Sequence, residues 1–252
     1  MIETARYIYC LINSSEAHAF STRGMEQNEV FTVNHQDLAA VVSPSPVKEY
    51  EICRQNLITH QLVMEEAMQN FVVLPVRFST VAENETAIIE KILKARYGEF
   101  KKLMAEMSDK IEMGLKILWK DLSLIYTEIK TKNLEIRSLK NQIEKQYAGK
   151  FLKARDKMIT LGEKVKQALA EKRESEKDLI LDPLKKLAFK TKDLPAVFDQ
   201  MVLNTAFLLE KNQEANFSRE LSKISSQING RMLFKYVGPV PPCNFVEIKI
   251  SW

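Results

Sequence analysis

Residues 237–252 read VGPVPPCNFVEIKISW, and this last stretch of the chain determines how the fold closes. Proline fixes φ and lacks the N–H that a helix interior or a central strand requires, so the Gly-Pro and Pro-Pro pairs exclude both structures here. From Phe245 onward, residues alternate with the period of two that is typical of a half-buried strand. We therefore predict that a closing strand, residues 245–250, reaches a sheet edge with Val246, Ile248 and Ile250 buried, and that Trp252 is kept out of solvent.

Several short blocks lie upstream of this tail. They are RQNLITH at 54–60 with Val63 and Glu66, VLPVRF at 73–78, EMGLKILW at 112–119, GKFL at 149–152, FLL at 207–209 with Phe217, and the Gly238-Pro and Asn244-Phe-Val steps of the tail itself. In order and spacing the set resembles the gas vesicle protein L/F family over nearly the whole chain. Val240 and Cys243 depart from it, because that family often has an aromatic residue at these places.

The resemblance implies an accessory or minor structural component of the gas vesicle, the gas-filled protein shell that gives a prokaryote buoyancy. It also implies two α+β units, no cofactor, and a cytoplasmic protein associated with the vesicle. The implied partners are the small hydrophobic shell protein and other accessory gas vesicle proteins. We expect the mechanism to be binding, in which a surface of this protein engages the aggregation-prone shell subunit before or during its addition to the shell.

Composition bounds the class of protein. The chain has 252 residues, of which 45% are hydrophobic and 28% charged, which is typical of a globular protein and not of a disordered one. No run approaches the 18 apolar residues of a membrane span, and no secretory signal is visible at the N-terminus, so we expect no membrane partner. The three scattered cysteines indicate buried thiols in a reducing compartment, without a disulfide framework or a zinc site.

The pattern of residues 1–108 predicts an N-terminal α+β domain. The predicted elements are strands at 5–12, 30–33, 38–42 and 71–78, and helices at 47–69, 83–96 and 99–107. In the first helix, the apolar residues Ile52, Leu57, Leu62, Val63 and Met68 fall near helical spacing, which predicts one packed face.

Residues 109–237 form the second predicted domain, which is ferredoxin-like, and residues 238–252 form a tail that closes onto a sheet. The predicted elements of this second domain are strands at 113–119, 201–209 and 232–237, helices at 178–189 and 217–228, and an antiparallel helical hairpin at 121–176. Two heptad stripes predict the hairpin seam: Leu122, Ile125, Ile129, Lys132, Ile136, Leu139 and Ile143, then Phe151, Ala154, Met158, Leu161, Val165 and Ala168. Gly149 is the predicted helix stop.

The search for chemistry finds little. The seven glycines are too far apart for a phosphate-binding loop, and the three histidines lack metal-ligand spacing. An enzyme hypothesis would use Arg54, His60 and Glu66, but such helix residues more often anchor a helix or contact a partner. We predict no enzyme, and we expect Arg77 to pair with Glu66 or Glu112. The candidate structural or partner-contact residues are Arg54, Asn56, His60, Glu66, Arg77, Asn244 and Phe245.

Basic residues are concentrated in the predicted hairpin. Residues 128–177 contain 14 Lys and Arg against eight Asp and Glu, whereas the rest of the chain has 23 against 25. Only Tyr147 and Phe151 could stack bases there, and Lys alternates with Glu as on a solvated coiled-coil exterior. We therefore expect a solvated face and no nucleic acid partner; an adaptor for an acidic protein or for nucleic acid remains the alternative.

Overall fold

The structure is a computed structural model that describes residues 5–146, 151–228 and 230–250. The chain divides into two compact units. The first consists of Met1–Met113, Leu208–Asn212 and Val237–Trp252, and the second of Gly114–Phe207 and Gln213–Tyr236. The sequence instead suggested a boundary at residue 108 and a continuous second domain. Tyr147, Gly149, Trp252 and the side chain of Phe151, on which several expectations fell, lie outside what the structure describes.

The first unit is built on a six-stranded antiparallel sheet. Its strands are β1 Ala5–Ile12, β2 Ala19–Phe20, β3 Val30–His35, β4 Leu38–Ser45, β5 Val73–Pro75 and β6 Val81–Ala82. The spatial order is β2-β3-β4-β1-β5, and β6 also pairs with β1. Side chains of β1 enter two separate hydrophobic clusters, Tyr7 and Tyr9 in one and Ile8 in the other, because neighbouring residues of a strand point to opposite faces. Leu11 joins Ile8 because the register shifts between Ile8 and Cys10, which moves the alternation by one residue.

The helices that pack in the first unit follow the early strands of the sheet. They are α1 Arg54–Met68, α2 Glu85–Ala87 with a π-helical continuation Ile88–Lys94, and α3 Tyr97–Met107. The helix α1 begins seven residues later than the 47–69 range that we predicted, because residues 46–53 form an irregular segment that carries Tyr50 into the core, where its hydroxyl lies 2.9 Å from Ser45 Oγ. Asn84 starts α2 by accepting the Ala87 N–H at 2.8 Å.

The second sheet has four strands in the order β10-β7-β9-β8. These strands are β7 Lys110–Trp119, β8 Lys190–Asp193, β9 Met201–Glu210 and β10 Met232–Val240, and α7 Glu214–Gln227 joins the last two. With the long helices between β7 and β8, this order is the ferredoxin-like plan, and the α+β class is confirmed. The sequence analysis missed β8, since its residues, Lys-Thr-Lys-Asp, are all exposed and show no apolar alternation.

The predicted hairpin region forms three helices, α4 Leu122–Lys132, α5 Leu134–Gln146 and α6 Phe151–Lys185. The first arm is therefore broken, because Asn133 leaves the helical conformation and its side chain accepts the Ile136 N–H at 3.1 Å. The helix predicted separately at 178–189 is instead continuous with α6 as far as Lys185. In the stripes, Ile125, Ile129, Ile136 and Ala154 are buried, while Lys132 and Met158 are exposed.

The tail was predicted as a regular strand, and this was wrong. It pairs at a single point, a parallel bridge between Ile248 and Val76. Ile248 donates its N–H to the Pro75 carbonyl at 2.8 Å and accepts the Arg77 N–H at 3.0 Å. The adjacent strand β5 has only three residues and ends in proline, so it offers no longer ladder. Ile248 is nevertheless buried, and Val246 and Ile250 pack against the same core.

Candidate partner-binding surfaces

The inner face of α1 is fixed by a buried polar network centred on His60. Tyr7 Oη lies 2.9 Å from His60 Nδ1 and accepts the Ser79 N–H at 3.1 Å, while the other side of the imidazole meets the backbone of Val76. We therefore assign Nδ1 as the acceptor and the second nitrogen as the donor to the Val76 carbonyl. Burial lowers the pKa of His60 to about 4, so the ring is neutral at physiological pH and both nitrogens are engaged.

Aromatic rings surround this histidine. The rings of Tyr7, Tyr9 and Phe78 have their centroids 5.6–5.7 Å from that of His60. Tyr9 Oη lies 2.8 Å from Ser43 Oγ and accepts the Met25 N–H at 2.6 Å, and burial raises the pKa of Tyr9 to about 12. The network thus satisfies its buried polar atoms and holds α1 against the sheet, as hydrogen-bonded polar groups inside a core do.

The other residues that we selected on and near α1 have separate roles. The Glu66 carboxylate accepts the Ser21 N–H, the Ser21 hydroxyl and the Thr22 N–H at 2.7–2.8 Å. Burial opposes ionisation of Glu66, but these hydrogen bonds prevail and bring its pKa to about 2. Asn56 Nδ2 donates to the Glu51 carbonyl at 3.0 Å and so ties down the approach to α1. Arg54 is exposed on the first turn of the helix.

Arg77 does not form the ion pair that we expected. Its side chain is exposed, Glu66 is engaged by the Ser21–Thr22 loop, and Glu112 is engaged by the tail. Glu112 is 3% exposed and accepts both the backbone N–H of Asn244 at 2.9 Å and its Nδ2 at 2.5 Å. Phe245 packs against the core next to this contact. Asn244 and Phe245 therefore attach the tail to the first unit.

The outer face of α1 is apolar, which the sequence analysis missed. Ile58 and Leu62 are four residues apart, opposite the buried His60, Val63 and Ala67, and each is nearly half exposed. Leu57, one position before Ile58, and Ile52, just before the helix, are exposed as well, and we call these four residues the α1 patch: Ile52, Leu57, Ile58 and Leu62. We had assigned three of these four to the packed face. Only the spacing of Val63, Met64 and Ala67 indicates the true inner face.

A groove in the second unit is a further candidate surface. Its volume is about 890 Å³, and it is lined by α4, α6, α7 and the start of β10. Four charged side chains form a quartet beside it, with Arg231 and Lys172 each reaching both Glu128 and Glu176 at 2.8–3.2 Å. Trp119 Nε1 also donates to Glu176 at 2.5 Å. The Lys172 ammonium is the main reason that the pKa of Glu128 is lowered.

Over the described ranges, no cluster of three His, Cys, Asp or Glu residues is arranged to hold a metal ion. No helix in this part of the chain has the length and apolar character needed to cross a membrane. Cys10, Cys53 and Cys243 are free thiols.

Comparison with known proteins identifies the family. The model of the family "Gas vesicle synthesis protein GvpL/GvpF" matches residues 5–247. The chain belongs to this family. Gas vesicle protein F of Nostoc sp. is 24% identical over 244 residues, covering 96% of this chain and 98% of that protein. Gas vesicle protein L1 of Halobacterium salinarum is 26% identical over 258 residues, covering 97% and 91%.

Crystal structures within the GvpL/GvpF family have the same fold. That of GvpF from Anabaena sp. PCC7120 superposes with a TM-score of 0.84 at 22% identity, covering 98% of this chain and 99% of that one. That of GvpF from Microcystis aeruginosa gives 0.78 at 20% identity, covering 97% and 100%. The protein therefore has a role connected with gas vesicles, in a family of structural or accessory proteins that is not a known enzyme class.

Proposed function

We propose that this protein is an accessory gas vesicle protein that binds the hydrophobic shell protein and supports gas vesicle assembly, and that the α1 patch is its contact surface. It would work in the cytoplasm, in association with the growing vesicle. Other accessory gas vesicle proteins would be further partners. The single observation that carries this assignment is the exposed Ile58–Leu62 pair on the outer face of α1. The inner face of this helix is held against the sheet by the His60 hydrogen bonds.

The chemistry of the α1 patch suits an apolar partner. Large exposed apolar side chains that lie together on one surface mark interaction sites more often than isolated ones do. Gln55, Gln61 and Gln69 lie beside the pair, as do the charged Arg54 and Glu65, so an apolar partner would meet the two side chains inside a polar rim. Because α1 is fixed by the His60 network and by Glu66, binding would order few additional side chains.

The selected polar residues take positions that fit this proposal. His60, Glu66 and Asn56 would act from behind or beside the helix by holding it in place. Arg54 and Arg77, which are both exposed, would contact a partner directly. Asn244 and Phe245 would serve by keeping the tail on the first unit, where Glu112 holds Asn244.

The test is a double substitution, Ile58→Glu with Leu62→Glu, measured against purified shell protein. We expect its binding to weaken at least about tenfold, as for the loss of central apolar anchors. Vesicle formation in cells should fall in parallel. The matched control is Gln55→Glu with Gln69→Glu, which adds the same charge at two exposed positions, one in the first turn of α1 and one directly after its last residue, and should bind as the wild type does. Thermal unfolding of both variants should be close to wild type, since all four side chains are exposed.

Two results would contradict the proposal. One is wild-type binding by the Ile58→Glu/Leu62→Glu protein. The other is an equal loss in both double variants, because added negative charge would then explain the effect and the apolar contact would not.

A further inference from the structure

The groove of the second unit has a buried apolar floor and exposed apolar lips. Ile125, Ile180 and Ile224 of the floor are buried, whereas Leu124 and Leu179, on α4 and α6, are 59% and 73% exposed. A small molecule inside the groove would cover the floor but would leave the outward sides of both leucines in water. An occupant that covers the floor and the lips must extend beyond the groove, as a segment of protein does.

Some of the charged side chains that line the groove have hydrogen-bond or ion-pair partners, and one does not. Each carboxylate of the lining has a partner: Asp121 accepts the Ser123 and Leu124 N–H groups, Glu128 and Glu176 belong to the quartet, and Glu220 lies 3.5 Å from Lys223 Nζ. Lys120 differs, because among the described residues its ammonium has no acceptor or ion-pair partner. Lys120 is therefore the cation at the mouth that an acidic group of an occupant can pair with, whereas the lining as a whole is close to balanced in charge.

We propose that this groove binds an amphipathic helix of a partner protein, with leucine-like side chains on the floor and between Leu124 and Leu179 and an acidic residue at Lys120. A helix that lays its apolar face into a groove is a common mode of protein recognition, and it presents anchors at the spacing of one face. The inference is independent of the α1 patch, because every residue it uses belongs to the second unit.

The probes are two synthetic helical peptides of about 18 residues, or about five turns, with identical leucine stripes. One has glutamates at both ends and the other has lysines. Binding is read from the fluorescence of Trp119 in the full chain carrying Trp252→Phe, which leaves Trp119 as the only tryptophan. We expect saturable binding of the glutamate peptide, at least about tenfold tighter than the lysine peptide, with an affinity that falls as salt is raised.

Two substitutions then test the two halves of the proposal. Leu179→Asp should weaken binding of the glutamate peptide at least about tenfold, as the loss of an apolar anchor does. Its matched control is Leu134→Asp, at a leucine of α5 that is 68% exposed but does not line the groove, and this variant should bind normally. Lys120→Glu should reverse the preference in favour of the lysine peptide.

Several outcomes would overturn the proposal. Equal binding of the two peptides would remove the role of Lys120, and an equal loss in the Leu134→Asp protein would place the contact elsewhere. Decanoate that saturates the Trp119 signal and excludes the peptide would identify a small-molecule site. A dimer of the protein alone that Leu179→Asp dissociates, measured by sedimentation, would make a second copy of this chain the occupant.

Discussion

The helix α1 of the first unit and the hairpin helices of the second are both rich in polar side chains, but the two regions use them in opposite ways. On α1, His60 is buried and its hydrogen bonds lie inside the core. On the hairpin, charged residues pair across the surface, as Lys164 does with Glu135 at 2.6 Å, where the two side chains are 41% and 73% exposed.

Exposure decides what each set of polar contacts contributes to stability. Removing one partner of a buried hydrogen bond leaves the other unsatisfied and costs about 1–3 kcal/mol. An exposed ion pair is worth about 0–1 kcal/mol, because water and salt screen it. The stability of α1 should therefore depend on its polar network, and that of the hairpin on its narrow apolar seam.

The largest effect that tests this comparison should come from Ile136→Asp in the seam. Ile136 is 1% exposed, and the variant loses a buried side chain and places a carboxylate there, at a cost of about 4 kcal/mol. Lys140→Asp is the control on the exposed side of the same helix, and it should change stability by about 0.5 kcal/mol or less. Urea unfolding followed by far-UV circular dichroism measures both. If the two substitutions lower the midpoint equally, the hairpin is not held by its seam.

A smaller effect should appear in the pH dependence of the first unit. The pKa of His60 is lowered from 6.5 to about 4 on folding, mainly by burial, so the folded state favours the neutral ring. Its contribution is fully present above pH 6.5 and is lost as the pH falls towards 4. At pH 5 the loss should be about 2 kcal/mol. Glu66, whose pKa is lowered to about 2 in the folded protein, loses its contribution to stability only at lower pH, as the pH falls below the ordinary glutamate pKa of 4.5.

The comparison protein for this measurement is His60→Gln, which cannot titrate. Its free energy of unfolding should be lower than that of wild type at pH 7.5, but the two curves should converge between pH 6.5 and 4. Curves that stay parallel across this range would show that His60 is not the buried neutral group described above.

The elements that the sequence predicted well are those in which apolar residues recur at a regular spacing. Strand β1 was predicted with the bounds it has, and β7, β9 and β10 within three residues at each end, because apolar alternation marks them. The tail has the same alternation but forms no strand, since a strand needs a partner edge and β5 is too short to supply one. Residues 190–193 show the reverse case, in which pairing with β9 makes a strand of a sequence without any period.

The candidate surfaces were harder to predict, for a related reason. Which residues contribute hydrogen-bond donors and acceptors can be read from the sequence, and in the structure the side chains of His60, Glu66 and Asn244 each form hydrogen bonds that hold their segment in place. Which side of α1 faces water depends on the sheet beneath it, and Ile58 was not selected at all. The groove needs residues from α4, α6 and α7, which are spread over residues 120–232 of the chain, and no local pattern joins them.

The smallest predicted effect concerns two exposed glycines, one in a helix of each region. No atom lies within 4 Å of the position that an alanine Cβ would take at Gly162 in α6 or at Gly98 in α3. Gly162→Ala should stabilise the second unit by about 0.5–1 kcal/mol, because glycine in a helix interior costs conformational entropy and nothing there resists a methyl group.

Gly98→Ala should give a smaller gain, because this residue is the second of α3, where the first-turn N–H groups have no partner within the helix. Thermal unfolding of the two single variants measures both shifts. A larger gain in stability at Gly98 than at Gly162 would mean that helix propensity does not determine the effect of substitutions on the exposed surface of α6. A loss of stability at Gly162 would mean that its solvent-facing side is in contact with something, and the view of the hairpin exterior as a solvated face would then fail.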